Sequence, residues 1–173
     1  MAPCIDVSVP CPAWNKLDFD AEDLAREITA LAFEKALKPP AIGGRDVEIS
    51  VSLADDKTIQ ALNKKYRSKD KPTNVLSFAT LDAGENQPAS PVCALPCALG
   101  DIIIAFETVK RESEAMKVPF RDHYTHLLIH GTLHLLGYDH LQENDAKVME
   151  SLEISLLSSL GIENPYARPN FMA

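Results

Sequence analysis

Hydrophobic positions change their period several times along this chain of 173 residues, and each change marks an element. Ile5, Val7 and Val9 alternate as a strand and run into a proline-rich turn. From Asp20 to Lys38 the apolar residues recur at helical spacing, with Asp20 as N-cap and Pro39-Pro40 as the stop. Alternation returns at Val47–Leu53, where Val47, Ile49, Val51 and Leu53 form the inward face of a strand, and Asp55 opens a helix to about Arg67. Val75–Phe78 is a short strand, and Asp101–Ala105 another. Helices follow at Glu107–Lys117, from Pro119 through a histidine-rich run, and at Asn144–Leu160. Residues 82–98, rich in Pro, Ala and Gly, form the longest loop, a mobile flap over a cleft. No internal repeat and no second domain is evident. This order predicts an α+β fold, a small mixed sheet packed with helices, with 1–173 as a single domain.

The run His130-Gly131-Thr132-Leu133-His134-Leu135-Leu136-Gly137-Tyr138-Asp139-His140 carries the chemistry. At 3.6 residues per turn, His130 and His134 project from one face of a helix a single turn apart. Gly137 permits the left-handed turn that ends a helix, and the returning chain brings His140 towards the same point. Three imidazoles leave one tetrahedral position of a Zn²⁺ ion open, the mark of a catalytic site. Between Tyr124 and Tyr138 no residue is formally charged, and leucine and isoleucine cover most of the helix circumference, so the helix is buried on several sides. Imidazoles buried there without partners cost about 1–3 kcal/mol each, a cost that a shared metal removes.

The ligand spacing matches the H-E-x-x-H-x-x-G-x-x-H pattern of zinc peptidases, except that Gly131 replaces the glutamate base. Glycine cannot take a proton. No Met-turn follows either, since Met149 falls in the last helix. A metzincin-like peptidase remains the alternative metallohydrolase, with the missing base against it. His126 extends the series by one turn and reads as a second-shell or cleft residue; His123 reads as a surface one. Asp139 either orients an imidazole or caps the turn.

The histidine run resembles the H-G-x-L-H-L-x-G-Y-D-H signature of the YbeY family, zinc-dependent bacterial endoribonucleases and ribosomal RNA maturation factors. Two further stretches resemble that family, Leu62–Phe78 (LNKKYRSKDKPTNVLSF) and Leu99-Gly100-Asp101-Ile102, so the likeness spans about residues 47–160. One departure stands out: Asn74 occupies a position where the family commonly has Asp, which removes a charge and any acid or base role there. The resemblance implies a small mixed sheet around a buried histidine helix, and it places Arg67 in the active-site cleft.

The net charge of −8 opposes a polyanionic partner until its distribution is considered. Lys64, Lys65, Arg67, Lys69 and Lys71 stand against Asp70 alone, a local +4 that leaves −12 elsewhere. Such a strip holds phosphates while the acidic remainder discourages indiscriminate RNA binding. The lysines equally complement the dipole of a helix that starts at Asp55-Asp56. No basic, apolar leader is readable, so the cytoplasm is the expected compartment. Cys4, Cys11, Cys93 and Cys97 are then expected as free thiols, with Cys93-x3-Cys97 a weak metal signal.

These readings combine into one expectation. A single Zn²⁺ on His130, His134 and His140 acidifies its bound water, and Arg67 holds the scissile phosphate. Attack by a ribose 2′-hydroxyl is the open alternative to attack by that water. By resemblance the substrate is single-stranded ribosomal RNA precursor, including the 16S 3′ end. The implied setting is ribosome assembly and quality control on the small subunit, with assembly factors such as an Era-type GTPase. Neither a membrane nor DNA is an expected partner. A non-catalytic ribosome-assembly protein with structural zinc is the remaining alternative, which the open fourth position disfavours.

Overall fold

Alternation along Val47–Ala54 buries Val47, Ile49, Val51 and Leu53 on one side of a strand and leaves Glu48 and Ser50 in solvent. That strand is β2 in the computed structural model, which describes residues 2–80 and 96–167. With β1 (Cys4–Ser8), β3 (Val75–Ala79) and β4 (Cys97–Ala105) it forms one sheet in the order β1-β2-β4-β3. β1, β2 and β4 are parallel, whereas β3 pairs antiparallel with β4, so the sheet is mixed as the element order predicts. β4 starts at Cys97 rather than at Asp101. Its register against β2 jumps from Ala98 to Gly100, and this bulge breaks the period of two that would have revealed the first half of the strand. Residues 82–95 of the expected flap lie outside the described residues. So does Cys93; Cys97 is a buried free thiol.

Among the described residues five α-helices pack around the sheet: α1 (Ala21–Lys35), α2 (Asp56–Arg67), α3 (Phe106–Met116), α4 (Phe120–Leu135) and α5 (Glu143–Ser159). Asp20 caps α1 by accepting from the Asp23 amide, and Asp55 caps α2 through the Thr58 amide, as their positions before apolar runs require. α1 stops at Lys35, short of Lys38. α1 and α4 pack with the sheet around one continuous core that takes in Leu24, Ile28, Ile49, Val51, Ile104, Leu127 and Leu128. α2 covers the opposite face at the β3–β4 end, packing its Ile59 against Ala54, Leu76 and Ile103. No helix among the described residues is long and apolar enough to cross a membrane.

α4 is the central element, with every residue from His123 to Leu133 buried. Its N-terminal half is fixed by aromatic packing. Trp14 donates to Ala54 O at 2.9 Å, and its ring meets those of Phe106, Phe120 and Tyr124 at 4.9–5.6 Å between centroids. The Tyr124 hydroxyl crosses to α1, donating to Ala21 O at 2.7 Å.

That last bond is testable. Tyr124→Phe keeps the ring and deletes the bond, so the urea midpoint should fall by the equivalent of about 1 kcal/mol with an unchanged m-value.

Candidate metal centre

One turn of α4 separates His130 from His134, and their Nε2 atoms face each other at 3.0 Å. The third imidazole depends on how the helix ends. Gly137 adopts φ +94°, its amide donates to His134 O, and the Tyr138 amide donates to Leu133 O, the two bonds of a Schellman cap. This turn brings Tyr138 O to 3.0 Å from His134 Nδ1, where it takes the ring proton and leaves Nε2 as a bare lone pair. Asp139 then accepts from the amides of His140 (2.6 Å) and Leu141 (3.3 Å). Its carboxylate caps the turn and leaves the orienting of His134 to Tyr138 O. The His140 ring ends 5.7 Å from that of His130 and 5.0 Å from that of His134.

The three rings fit a metal ion. One nitrogen from each lies within 4.8 Å of the others, a grouping that could hold one ion. The bare His134 lone pair aimed at His130 Nε2 also needs a proton or a cation between the two atoms. Burial pushes His134 down to about 4, helped by its histidine neighbours, so the ring is neutral and ready to ligate near pH 7.

Behind the rings lies a carboxylate with no place in the sequence reading. Glu153 of α5 is fully buried. Its Oε1 stands 3.1 Å from His130 Nδ1; its Oε2 bonds to His126 Nε2 and accepts from the Tyr166 hydroxyl at 2.6 Å. Burial pushes the Glu153 carboxyl up, but the bonds from His126 and His130 outweigh it and bring it to about 2. Burial also lowers His126 in spite of Glu153, so that ring is neutral. His126 is thus placed behind the three clustered rings rather than in the cleft. A signal for Glu153 existed: Met149, Leu156 and Leu157 make the buried stripe of α5, and Glu153 sits on that stripe where an apolar residue is due.

In front of the rings a cavity of about 660 Å³ gathers His130, His134 and His140 with Arg67, Lys69, Lys71 and Asn74. Arg67 donates to Ser77 O at 3.0 Å and lies over the Phe78 ring at 5.6 Å, which holds the guanidinium at the cleft wall. Lys64 and Lys65 do not line this cavity: Lys64 pairs with Asp70 at 3.5 Å, and Lys65 lies over Tyr66. Asn74 is committed to structure. Its Oδ1 accepts from the Val75 amide at 2.7 Å, and its Nδ2 donates to both Glu112 oxygens at 3.0 and 3.2 Å.

His123 is a correction. The predicted surface residue is 3% exposed, with Nε2 2.6 Å from Glu112 Oε2, because α3 packs over that side of α4 and supplies the carboxylate. Gly131 gains a reason as well. A Cβ there would stand 3.0 Å from Ile102 Cγ2 and 3.1 Å from Ser77 Oγ, so the glycine lets α4 lie against the sheet. A peptidase glutamate at that position would have to displace Ile102 and Ser77.

The lowered groups set an acid limit for the metal-free protein. His134 binds its proton more readily when unfolded (6.5) than when folded (about 4), so its stability contribution is complete above 6.5 and is lost as pH falls towards 4. Glu153, at 4.5 unfolded and about 2 folded, adds a second loss below 4.5. Urea midpoints in excess chelator should therefore fall from pH 7 to 5.5 and again to 4; a flat profile would show that the rings are not held neutral.

A sequence model of the family described as Endoribonuclease YbeY matches residues 13–161, a span that reaches back through α1 beyond the 47–160 of the local resemblance. A protein of Paramagnetospirillum magneticum named Endoribonuclease YbeY is 47% identical over 94% of both chains. One of the same name from Magnetococcus marinus is 50% identical over 78% of this chain and 88% of its own. A solution structure of a Thermotoga maritima protein shares the fold, with a TM-score of 0.54 at 22% identity over 90% of this chain and 88% of that one. The matched span runs through the cleft cations and all three clustered histidines, and the chain belongs to the YbeY endoribonuclease family.

Proposed function

We propose that this chain is a zinc-dependent endoribonuclease that cuts single-stranded ribosomal RNA precursors, the 16S 3′ end among them. The observation that carries the reading is one cleft in which three convergent imidazoles face Arg67 and two lysines, in a chain of this family. His130, His134 and His140 are the proposed ligands. When bound, zinc supplies Lewis acidity towards a water and a phosphoryl oxygen, which suits hydrolysis without a strong protein base. Arg67 holds the scissile phosphate: its planar fork matches two phosphate oxygens, and its anchor on Ser77 O preorganises it against the charge that grows in the transition state. Lys69 and Lys71 attract the strand at the cleft, and Lys64 and Lys65 add weaker field from outside it.

The same reading sets the cellular role. The acidic remainder of the chain confines RNA contact to the cleft, as suits an enzyme delivered to one substrate by its partners. The small ribosomal subunit, with assembly factors such as an Era-type GTPase, is the proposed setting, in the cytoplasm and within ribosome assembly and quality control.

Zinc analysis, RNA cleavage and binding, and a peptide assay test it. The purified protein should hold about one zinc, and alanine at His130, His134 or His140 should strip it; full zinc by elemental analysis in two of the three variants removes the basis of the reading. In single-turnover cleavage at saturating enzyme, Arg67→Ala should slow RNA cutting by about 10²-fold with zinc retained. Lys69→Ala should leave saturated turnover nearly unchanged and reduce the salt dependence of binding by about one counterion. If Arg67→Ala behaves like Lys69→Ala, Arg67 belongs to the binding strip. Peptides should be inert; proteolysis abolished by His134→Ala, with RNA intact, overturns the substrate class.

A further inference from the structure

An anionic side chain on the apolar stripe of a helix is costly unless its partners exploit the charge. Glu153 has three such partners, and all of them can donate: His126 Nε2, the Tyr166 hydroxyl at 2.6 Å, and His130 Nδ1 at 3.1 Å. A buried carboxylate has acceptor sites for all three and no proton to give, so each partner must turn an N–H or O–H towards it. For His130 this settles the tautomer. A neutral imidazole carries one ring proton, and a proton on Nδ1 leaves Nε2 bare. Tyr138 O makes the same demand on His134. Two bare Nε2 lone pairs then face each other at 3.0 Å. Without Glu153, His130 could place its proton on Nε2 and donate it to His134, and the two ligands would satisfy each other with no ion between them.

We propose that Glu153 is a positioning residue of the metal centre: by accepting the Nδ1–H of His130 it denies the neutral His130–His134 pair an internal hydrogen bond, so that only an added proton or a metal cation satisfies both nitrogens. The inference rests on the metal-centre reading above and adds the group that keeps the pair open. Tyr166 makes the segment after α5 part of the device, because its hydroxyl fixes the Glu153 oxygen that His126 also holds, while its ring packs 5.6 Å from that of His126. The carboxylate is thus held from α4 and from the C-terminal segment, and its other oxygen is set against His130.

The test uses the full chain and zinc itself. In Glu153→Gln the side chain keeps its size but loses its charge, and its amide NH₂ must oppose one of the three donors. Zinc affinity, measured by chelator competition without RNA, should fall 10- to 100-fold. Circular dichroism should show the fold retained. A merely structural role would lower thermal stability and leave the zinc affinity of the folded protein unchanged; that outcome overturns the proposal. A second measurement holds even if the variant does not fold. Nitrogen-15 NMR of the histidine rings in the metal-free natural protein near pH 7.5 should find His130 protonated on Nδ1 and bare on Nε2. An Nε2–H tautomer of His130 overturns the proposal whatever the variants do. A natural protein that binds no zinc but shows the Nδ1–H tautomer would sink the zinc reading and leave the role of Glu153 standing.

Discussion

Burying a row of histidines on the most enclosed helix of the molecule is the constraint from which the rest follows. An imidazole in an apolar core needs a partner for its ring N–H, and leaving it unpaired costs about 1–3 kcal/mol. Two of the helices packed on α4 and the turn that follows it answer that demand. α3 brings Glu112 to His123, α5 brings Glu153 to His126 and His130, and the turn after α4 brings Tyr138 O to His134. The ring nitrogens of His130 and His134 therefore inherit the rigidity of a packed helix, while the exposed His140 is held by the capped turn that follows it. Burial in the same arrangement keeps His126 and His134 neutral, the form that a metal requires of an imidazole.

The cleft has two walls of opposite character. One is the rigid end of α4 with its capped turn. The other comprises the end of α2 and the cationic segment after it, in a chain whose remaining charge is strongly negative. Ser77, on the edge strand β3, joins them. Its carbonyl accepts from Arg67, and its hydroxyl donates to Gly131 O at 3.3 Å, where the glycine lets helix and strand approach closely. The distance between the Arg67 guanidinium and the imidazoles is thus set through one residue. Asn74 supports the same strand from its first residue, and its amide does so without placing a second carboxylate against Glu112.

Local rules made much of this legible. Periods of two and 3.6 located the strands and helices. Asp20 and Asp55 marked helix starts, and Gly137 marked the end of the histidine helix, because caps and left-handed turns depend on residues within one turn of each other. The same locality exposed the three histidines that cluster. His130 and His134 are neighbours on a helix face, and His140 follows a turn that the sequence itself encodes. A bulge erased the first half of β4 from view, since one extra residue flips the alternation on which strand recognition relies.

What distance along the chain conceals, only tertiary packing decided. Glu153 lies 23 residues from His130, and nothing in either segment states that α5 delivers it to that ring. His123 read as exposed because its covering helix, α3, precedes it in sequence and meets it only after folding. Arg67 and Lys69 enter the cleft while Lys64 and Lys65 do not, a division set by where α2 meets β3 and not by charge order. The sequence by itself determined which atoms can bind a metal and where the helix carrying them ends, because those properties are local. Packing determined which nitrogen of His130 is free to bind it, because that depends on Glu153, a proton acceptor supplied from elsewhere in the fold.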